Sequence, residues 1–198
     1  MELIIATGNK KKIEEIKRIT EDLDVKVLTL DDFPGSPEVE EDGKSFEENA
    51  VKKATAVADY AGIAALADDS GIEVDALNGA PGILSARYAG EGADDRRNVL
   101  KLLKDLQGVE ERGARFVCCL ALAFPDGRVK TFFGYAGGAI GTEPRGENGF
   151  GYDPLFYPKG HDRTFAEMTD EEKDSLSHRG NALKQLRKFL EQKKNPNF

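Results

Sequence analysis

Ile63-Ala64-Ala65-Leu66-Ala67-Asp68-Asp69-Ser70-Gly71 runs from an aliphatic segment into two adjacent carboxylates, a hydroxyl and a glycine. The aliphatic part, 63–66, predicts a short buried strand. Gly71 predicts a turn directly after the carboxylates. Neighbouring side chains in extended chain point to opposite faces. Asp68 and Asp69 are therefore expected to do different jobs, one facing a site and one facing the body of the protein. A carboxylate at the end of a buried strand costs free energy unless something compensates it. A metal ion, a base's proton or backbone donors would each do so. The plain alternative is an acidic turn that caps a strand, and these residues alone leave both open.

Upstream, Ser45 with Glu48 reads as a capping box. The helix behind it carries Ala50, Ala54, Ala58 and Ala61 on one face, which suits close packing on a sheet, and Gly62 ends it. Lys52 and Lys53 lie mid-helix; one reaching a phosphate and a plain surface pair are both open. Further back, residues 3–6 predict a strand, followed by Thr7-Gly8-Asn9-Lys10-Lys11-Lys12 and a helix with Ile13, Ile16, Ile19 and Leu23 as its stripe. Asn9 is the expected N-cap, with free N–H groups at the helix start suited to an anion. Three lysines at the positive end of a helix dipole are locally unfavourable and call for a compensating anion. The GxxxxGK[ST] phosphate-loop pattern is absent. Val25–Leu30 alternates as a second strand, and Asp31–Lys44 is an acidic loop, either solvated or contributing carboxylates to a magnesium site with Asp69.

Downstream, Ile72–Leu77 alternates as a separate half-buried strand, and Asn78–Gly92 is rich in turns. Arg87 there either positions an acidic group or makes a surface ion pair. Asp94 opens a helix with Val99, Leu102, Leu103 and Leu106, ended by Gly108. Ala114–Phe124 and Val129–Ala136 read as strands joined at Pro125-Asp126-Gly127, after which Gly137, Gly138 and Gly141 are expected to loosen the chain. Glycines 146, 149 and 151 bracket Phe150 and precede Tyr152 and Asp153. Such a loop brings backbone close to a flat ligand, with Phe150 stacking on it; the alternative, stronger for Tyr152, is aromatics tucked into the core. Thr169 with Glu172 is a second capping box, for a short helix containing Lys173. His178-Arg179 opens a long helix with Ala182, Leu183, Leu186, Phe189 and Leu190 on one face. Asn195–Phe198 are expected to fray.

The 198 residues point to one domain, 1–198, with 39% hydrophobic residues for its core. The net charge of -8 argues against nucleic acid as a partner. No segment is long and apolar enough for a membrane span, and Met1–Ile5 has no signal-peptide pattern. Cys118 and Cys119, the only cysteines, read as reduced core residues. The expected location is cytoplasmic. No GxGxxG follows a strand, and neither HExxH nor GxSxG occurs. What remains suits a nucleoside triphosphate with Mg²⁺ attacked by water, chemistry that needs positioning and charge neutralisation more than a covalent nucleophile.

Five stretches together resemble the inosine triphosphate pyrophosphatase (Ham1-like) family: ATGNKKK at 6–12, EEDGKSFEENAVKKA at 40–54, ADDSGIEVDALNGAPGILSARYAG at 67–90, PRGENGFGYDPLF at 144–156 and AEMTDEEKDSLSHRGNALK at 166–184. The resemblance implies an α/β, ITPase-like (Maf/Ham1) fold: an elongated mixed β-sheet with helices on both sides, two lobes and a central groove. It implies hydrolysis of ITP, dITP and XTP to the monophosphate and pyrophosphate, and a homodimer. It implies that Thr7, Gly8, Asn9, Lys10, Lys11 and Lys12 hold the triphosphate and that Glu40 and Asp69 hold Mg²⁺. Asp69 would also be the proton acceptor. Ser70 would contact substrate, Phe150, Gly151, Tyr152 and Asp153 would line the base pocket, and Lys173, His178 and Arg179 would complete it. Glu40 is chosen over its neighbour Glu41.

Overall fold

Strand β1 (Glu2–Ile5) is the apolar run near the N-terminus, with Leu3, Ile4 and Ile5 buried. The computed structural model describes residues 1–193; the expected fraying of Asn195–Phe198 lies outside them. Helix α1 (Lys10–Thr20) begins at the expected cap, where Asn9 Oδ1 accepts from the N–H groups of Lys11 at 3.0 Å and Lys12 at 3.2 Å. The cap itself thus takes two of the donors that the sequence left for an anion. Ile16 is buried, with Ile13, Ile19 and Leu23 packed beside it. Strand β2 (Lys26–Thr29) pairs with β1 in parallel, Leu3 opposite Val27.

Ser45 caps helix α2 (Phe46–Ala61), accepting from Glu48 N–H at 3.1 Å. The expected capping box is only half formed. The Glu48 carboxylate instead accepts from Lys44 N–H at 2.7 Å, one residue earlier than a box requires. Ala50, Ala54 and Ala58 are fully buried, and Gly62 ends the helix at φ 65°, a conformation glycine adopts without steric cost.

Strand β3 (Ala65–Val74) corrects the reading of the central stretch. One continuous strand runs through Asp68, Asp69, Ser70 and Gly71, with no turn at the glycine. Buried carboxylates are tolerated mid-strand because cations meet them there, as described below. The strand stops at Val74, and Asp75–Leu77 is a short 3-10 turn where alternation had suggested more strand.

Helix α3 (Asp95–Asp105) is capped by Asp94, which accepts from Arg97 N–H at 2.8 Å. Strands β4 (Gly113–Ala123) and β5 (Val129–Ile140) flank the expected turn. The glycines of β5 do not loosen it: the strand continues through Gly137 and Gly138 and pairs antiparallel with β6 (Phe156–Pro158). A Cβ on Gly138 would stand 2.1 Å from the Tyr157 carbonyl oxygen, so glycine is what lets β6 approach. Helix α4 (Asp170–Leu176) has the predicted Thr169–Glu172 capping box, and α5 (His178–Lys193) completes the set. The strand order is β2-β1-β3-β4-β5-β6, a mixed sheet with flanking helices, as expected for the α/β class. Among the described residues no helix is long and apolar enough to cross a membrane.

The chain forms two compact units, each with its own core. The first comprises residues 1–69, 118–134 and the chain from Arg179 onward, packed around Leu3, Ile5, Leu66, Leu120, Leu122, Leu183 and Leu186. The second comprises 70–117 and 135–178. In it Phe116 meets Phe156 edge-on at 4.8 Å, and Phe156 lies 5.1 Å from Phe165. Gly138→Ala is expected to destabilise the protein by about 1–3 kcal/mol through overpacking. A denaturation midpoint equal to that of the unsubstituted protein would show that β6 shifts away freely.

Candidate active site

Extended backbone sends Asp68 and Asp69 of β3 to opposite faces, as their adjacency predicted. Asp68 faces inward and is 1% exposed. Arg179 donates to it through Nε at 2.8 Å and Nη2 at 3.4 Å. Lys12 forms an ion pair with Oδ1, which Arg179 Nη2 also approaches, and the Cys118 thiol donates to Oδ2 at 3.1 Å. Arg179 also pairs with Glu15 through Nη1. Burial opposes charge on Asp68, but Arg179 and Lys12 outweigh it and hold the carboxyl well below its usual range. Burial likewise opposes charge on Arg179, and Asp68 and Glu15 reverse it, keeping the guanidinium charged. The same burial, with Asp68 adding to it, pushes the Cys118 thiol well up, so Cys118 is a neutral donor here.

Asp69 meets different chemistry. Asn49 Nδ2 donates to its Oδ2 at 3.0 Å, while Asn49 Oδ1 accepts from Gly43 N–H at 2.8 Å. One buried amide thereby ties the acidic loop to β3. A Cβ on Gly43 would lie 2.6 Å from Asn49 Oδ1, so the loop backbone can come this close only as glycine. Lys53, one turn after Asn49 on α2, places Nζ 3.8 Å from Asp69 Oδ1, 2.8 Å from the Asp68 carbonyl oxygen and 2.6 Å from Glu41 Oε1. Burial raises the Asp69 carboxyl to about 6; Lys53 opposes the shift, Glu41 adds to it and the Asn49 hydrogen bond opposes it.

The carboxylate that shares Lys53 with Asp69 is Glu41. The neighbouring Glu40, the residue chosen from sequence, has an exposed side chain, and its carbonyl accepts from Lys52 Nζ at 3.0 Å. Lys52 also pairs with Asp42 at 2.7 Å on the outside of α2. Among the described residues there is no group of three or more His, Cys, Asp or Glu side chains arranged to hold a metal. The oxygens around Lys53 nonetheless fit Mg²⁺: two carboxylates and a carbonyl are hard donors, and Mg²⁺ takes only one or two protein carboxylates, keeping water and phosphate as its other ligands.

Of the triphosphate-binding candidates, Lys12 turns inward to Asp68, while Gly8, Asn9, Lys10 and Lys11 are exposed and Thr7 is half-buried. Thr7 Oγ1 accepts from Asn9 N–H at 3.2 Å, which shapes the turn into α1. Ser70 is half-buried on β3.

In the second unit the glycine loop is built around Asp153. Its Oδ2 accepts from Phe150 N–H at 2.8 Å and from Lys173 Nζ at 2.7 Å, with both ionic side chains buried. A Cβ on Gly149, which has φ 73°, would lie 2.1 Å from that oxygen. Lys173 Nζ also stands 4.8 Å from the centre of the half-buried Phe150 ring, a cation–π contact that fixes the ring. Gly151 N–H donates to Asp95 Oδ2 at 2.7 Å. The Tyr152 ring is buried and its hydroxyl donates to the Ser85 carbonyl at 2.8 Å, the core role that was its stronger alternative. His178 stacks on Phe116 at 4.6 Å, nearly parallel.

The structure thus gathers Lys12, Asp69 and Arg179 in the first unit, and Phe150, Gly151, Asp153, Lys173 and His178 in the second. Arg179, expected beside the base, is fully buried and directed at Asp68 and Glu15. Sequence reasoning missed Glu15, Asn49 and Asp95, and left Lys53 undecided. The four-residue spacing of Asn49 and Lys53 was the usable signal, since it puts both on one helix face. Arg179→Met removes the cation that two buried carboxylates share, leaving Asp68 with Lys12, and is expected to cost about 3–5 kcal/mol. Retained stability in a denaturation curve would show that Lys12 alone compensates Asp68.

The chain matches the Ham1 family over residues 3–189. It is 52% identical to a dITP/XTP pyrophosphatase of Desulforamulus reducens across 192 residues, 96% of each chain. It is 50% identical to one of Bacillus subtilis, covering 96% of this chain and 97% of that one. Among solved structures, a HAM1 protein from Coxiella burnetii superposes with a TM-score of 0.90 at 42% identity, over 97% of this chain and 99% of the other. The match spans both units and all five motif stretches, and this chain belongs to the Ham1 family.

Proposed function

We propose that this protein hydrolyses the non-canonical purine nucleotides dITP, ITP and XTP to the nucleoside monophosphate and pyrophosphate. The observation that carries this reading is the division of labour on β3. Asp68 is neutralised inside the protein, while Asp69, raised to about 6, faces Glu41 across a lysine. The names of the relatives point to the same activity.

In this reading Glu41 and Asp69 hold Mg²⁺, with Glu41 replacing Glu40 in that role. The metal supplies charge neutralisation on the phosphates and acidifies water. Asp69 accepts the proton of the water that attacks the α-phosphorus, and pyrophosphate leaves from the β side. Burial and Glu41 raise the Asp69 carboxyl in the metal-free protein; a divalent cation beside it would lower it again and hold it as the carboxylate that accepts the proton. Asn49 fixes its orientation. Lys10, Lys11 and Lys12, with Thr7, Gly8 and Asn9, carry the triphosphate at the start of α1, and Ser70 contacts substrate.

The base stacks on Phe150, whose ring Lys173 and Asp153 hold in place. Gly151 and Tyr152 shape that loop from their backbone. His178 donates to O6 of hypoxanthine or xanthine. Adenine presents an amino group at that position and leaves the donor unpaired, at a cost of about 1–3 kcal/mol. Arg179 acts through Asp68 and, beyond it, the seating of Lys12. A homodimer and a cytoplasmic location belong to the same reading; free, buried Cys118 and Cys119 suit a reducing compartment.

The test is product-resolved hydrolysis of dITP, XTP, GTP and ATP with and without Mg²⁺. Monophosphate plus pyrophosphate from dITP and XTP, lost on chelation, is expected. Diphosphate plus phosphate would overturn the assignment of the bond attacked. Asp69→Asn should lower turnover by about 10²–10⁴-fold with nucleotide binding retained; unchanged rates would remove Asp69 from the chemistry. His178→Ala should narrow the ITP-over-ATP ratio of kcat/KM, and an unchanged ratio would exclude His178 as the O6 donor.

A further inference from the structure

Lys53 bridges Glu41 and the Asp68–Asp69 segment of β3. Its ammonium donates to two oxygens, a carboxylate of the acidic loop and a carbonyl of β3, and pairs at 3.8 Å with a carboxylate of β3. That is an oxygen cradle for a cation, and the cation in it is covalently tethered. We propose that Lys53 is the resident cation of the Glu41–Asp69 site, giving up its place when a divalent metal binds. The inference rests on the metal reading above and goes beyond it, because it makes metal binding an exchange of one cation for another.

Three observations support it. The first is direction. Lys53 is turned inward, its side chain 12% exposed, while the adjacent Lys52 is 45% exposed and paired with Asp42. The second is charge. Asp69 and Glu41 sum to two negative charges, and Lys53 brings the cluster to one. The nearby Lys12 is engaged with Asp68. Without Lys53 the two carboxylates would repel, and the loop would lose its ionic tie to β3, leaving the Asn49 bridge. The third is reach. A lysine stem is flexible and its ammonium has three rotatable donors, so it can leave the cradle with α2 unmoved. A divalent cation bound to Glu41 Oε1 and Asp69 Oδ1 would lie against the ammonium, which stands 2.6 Å from the first and 3.8 Å from the second, and the two cations would repel strongly at that range. The lysine therefore keeps the loop in place in the metal-free protein and lowers the affinity that the oxygens alone would give the metal.

The experiment uses the full chain without nucleotide. Mn²⁺ binding is followed by electron paramagnetic resonance, and lysine accessibility by acetylation and mass spectrometry. In the unsubstituted protein, Mg²⁺ should raise the labelling rate of Lys53 and leave that of Lys52 unchanged. Lys53→Met should bind Mn²⁺ at least about fivefold more tightly. Lys52→Met, which removes the same charge outside the cradle, should shift affinity little. Lys53→Gln serves where the methionine variant folds poorly, and the labelling result needs no variant. Mn²⁺ bound with Lys53 labelling unchanged or reduced, or equal shifts in the Lys52 and Lys53 variants, would overturn the exchange while leaving the metal reading intact. No Mn²⁺ uptake by either the unsubstituted or the Lys53-substituted protein would overturn both.

Discussion

A carboxylate in the middle of a buried strand is affordable only with a matched cation, and Asp68 has two, Arg179 and Lys12. Much of the first unit's polar architecture follows from that constraint. Arg179 at the start of α5 must be buried to reach Asp68, and once buried it requires Glu15 of α1 as a second partner. Lys12 is drawn inward from a run of lysines whose other members stay exposed. A single buried ion network thereby ties α1, β3 and α5 together and sets where the basic turn at the start of α1 points.

The opposite face of β3 is governed by a different balance. Asp69 is nearly as buried as Asp68, yet it faces one lysine, one amide and a second carboxylate. Burial and Glu41 together outweigh Lys53 and Asn49, so its carboxyl rises while that of its neighbour falls. Two identical residues, adjacent in the chain, shift in opposite directions because β3 alternates and the two faces meet different partners. Asn49 and Gly43 extend this to the acidic loop: an amide that bonds both a loop N–H and Asp69 couples loop position to carboxylate orientation.

In the second unit the same economy operates around Asp153. One carboxylate oxygen receives a backbone N–H and a lysine, and the room it needs is created by a glycine with positive φ. The lysine in turn braces the Phe150 ring. Lys173 and Asp153 thus support an aromatic surface.

The order of helices and strands was legible from apolar periodicity, and the caps at Asn9, Asp94 and Thr169 and the stop at Gly62 from local chemistry. So was the division of Asp68 from Asp69, because alternation is a property of extended backbone. What sequence misjudged were positions where a long-range contact overrides a local preference. Gly71 and Gly138 read as interruptions, but β3 and β5 run through them, Gly138 because β6 packs against it. Glu40 and Glu41 were indistinguishable along the chain, and so were Lys52 and Lys53. Only the folded loop and helix decide which carboxylate and which lysine meet at Asp69. Residue type and spacing report local conformation and candidate chemistry, whereas the pairing of distant charges depends on which segments the cores bring together. The burial that makes those pairings strong exists only after folding.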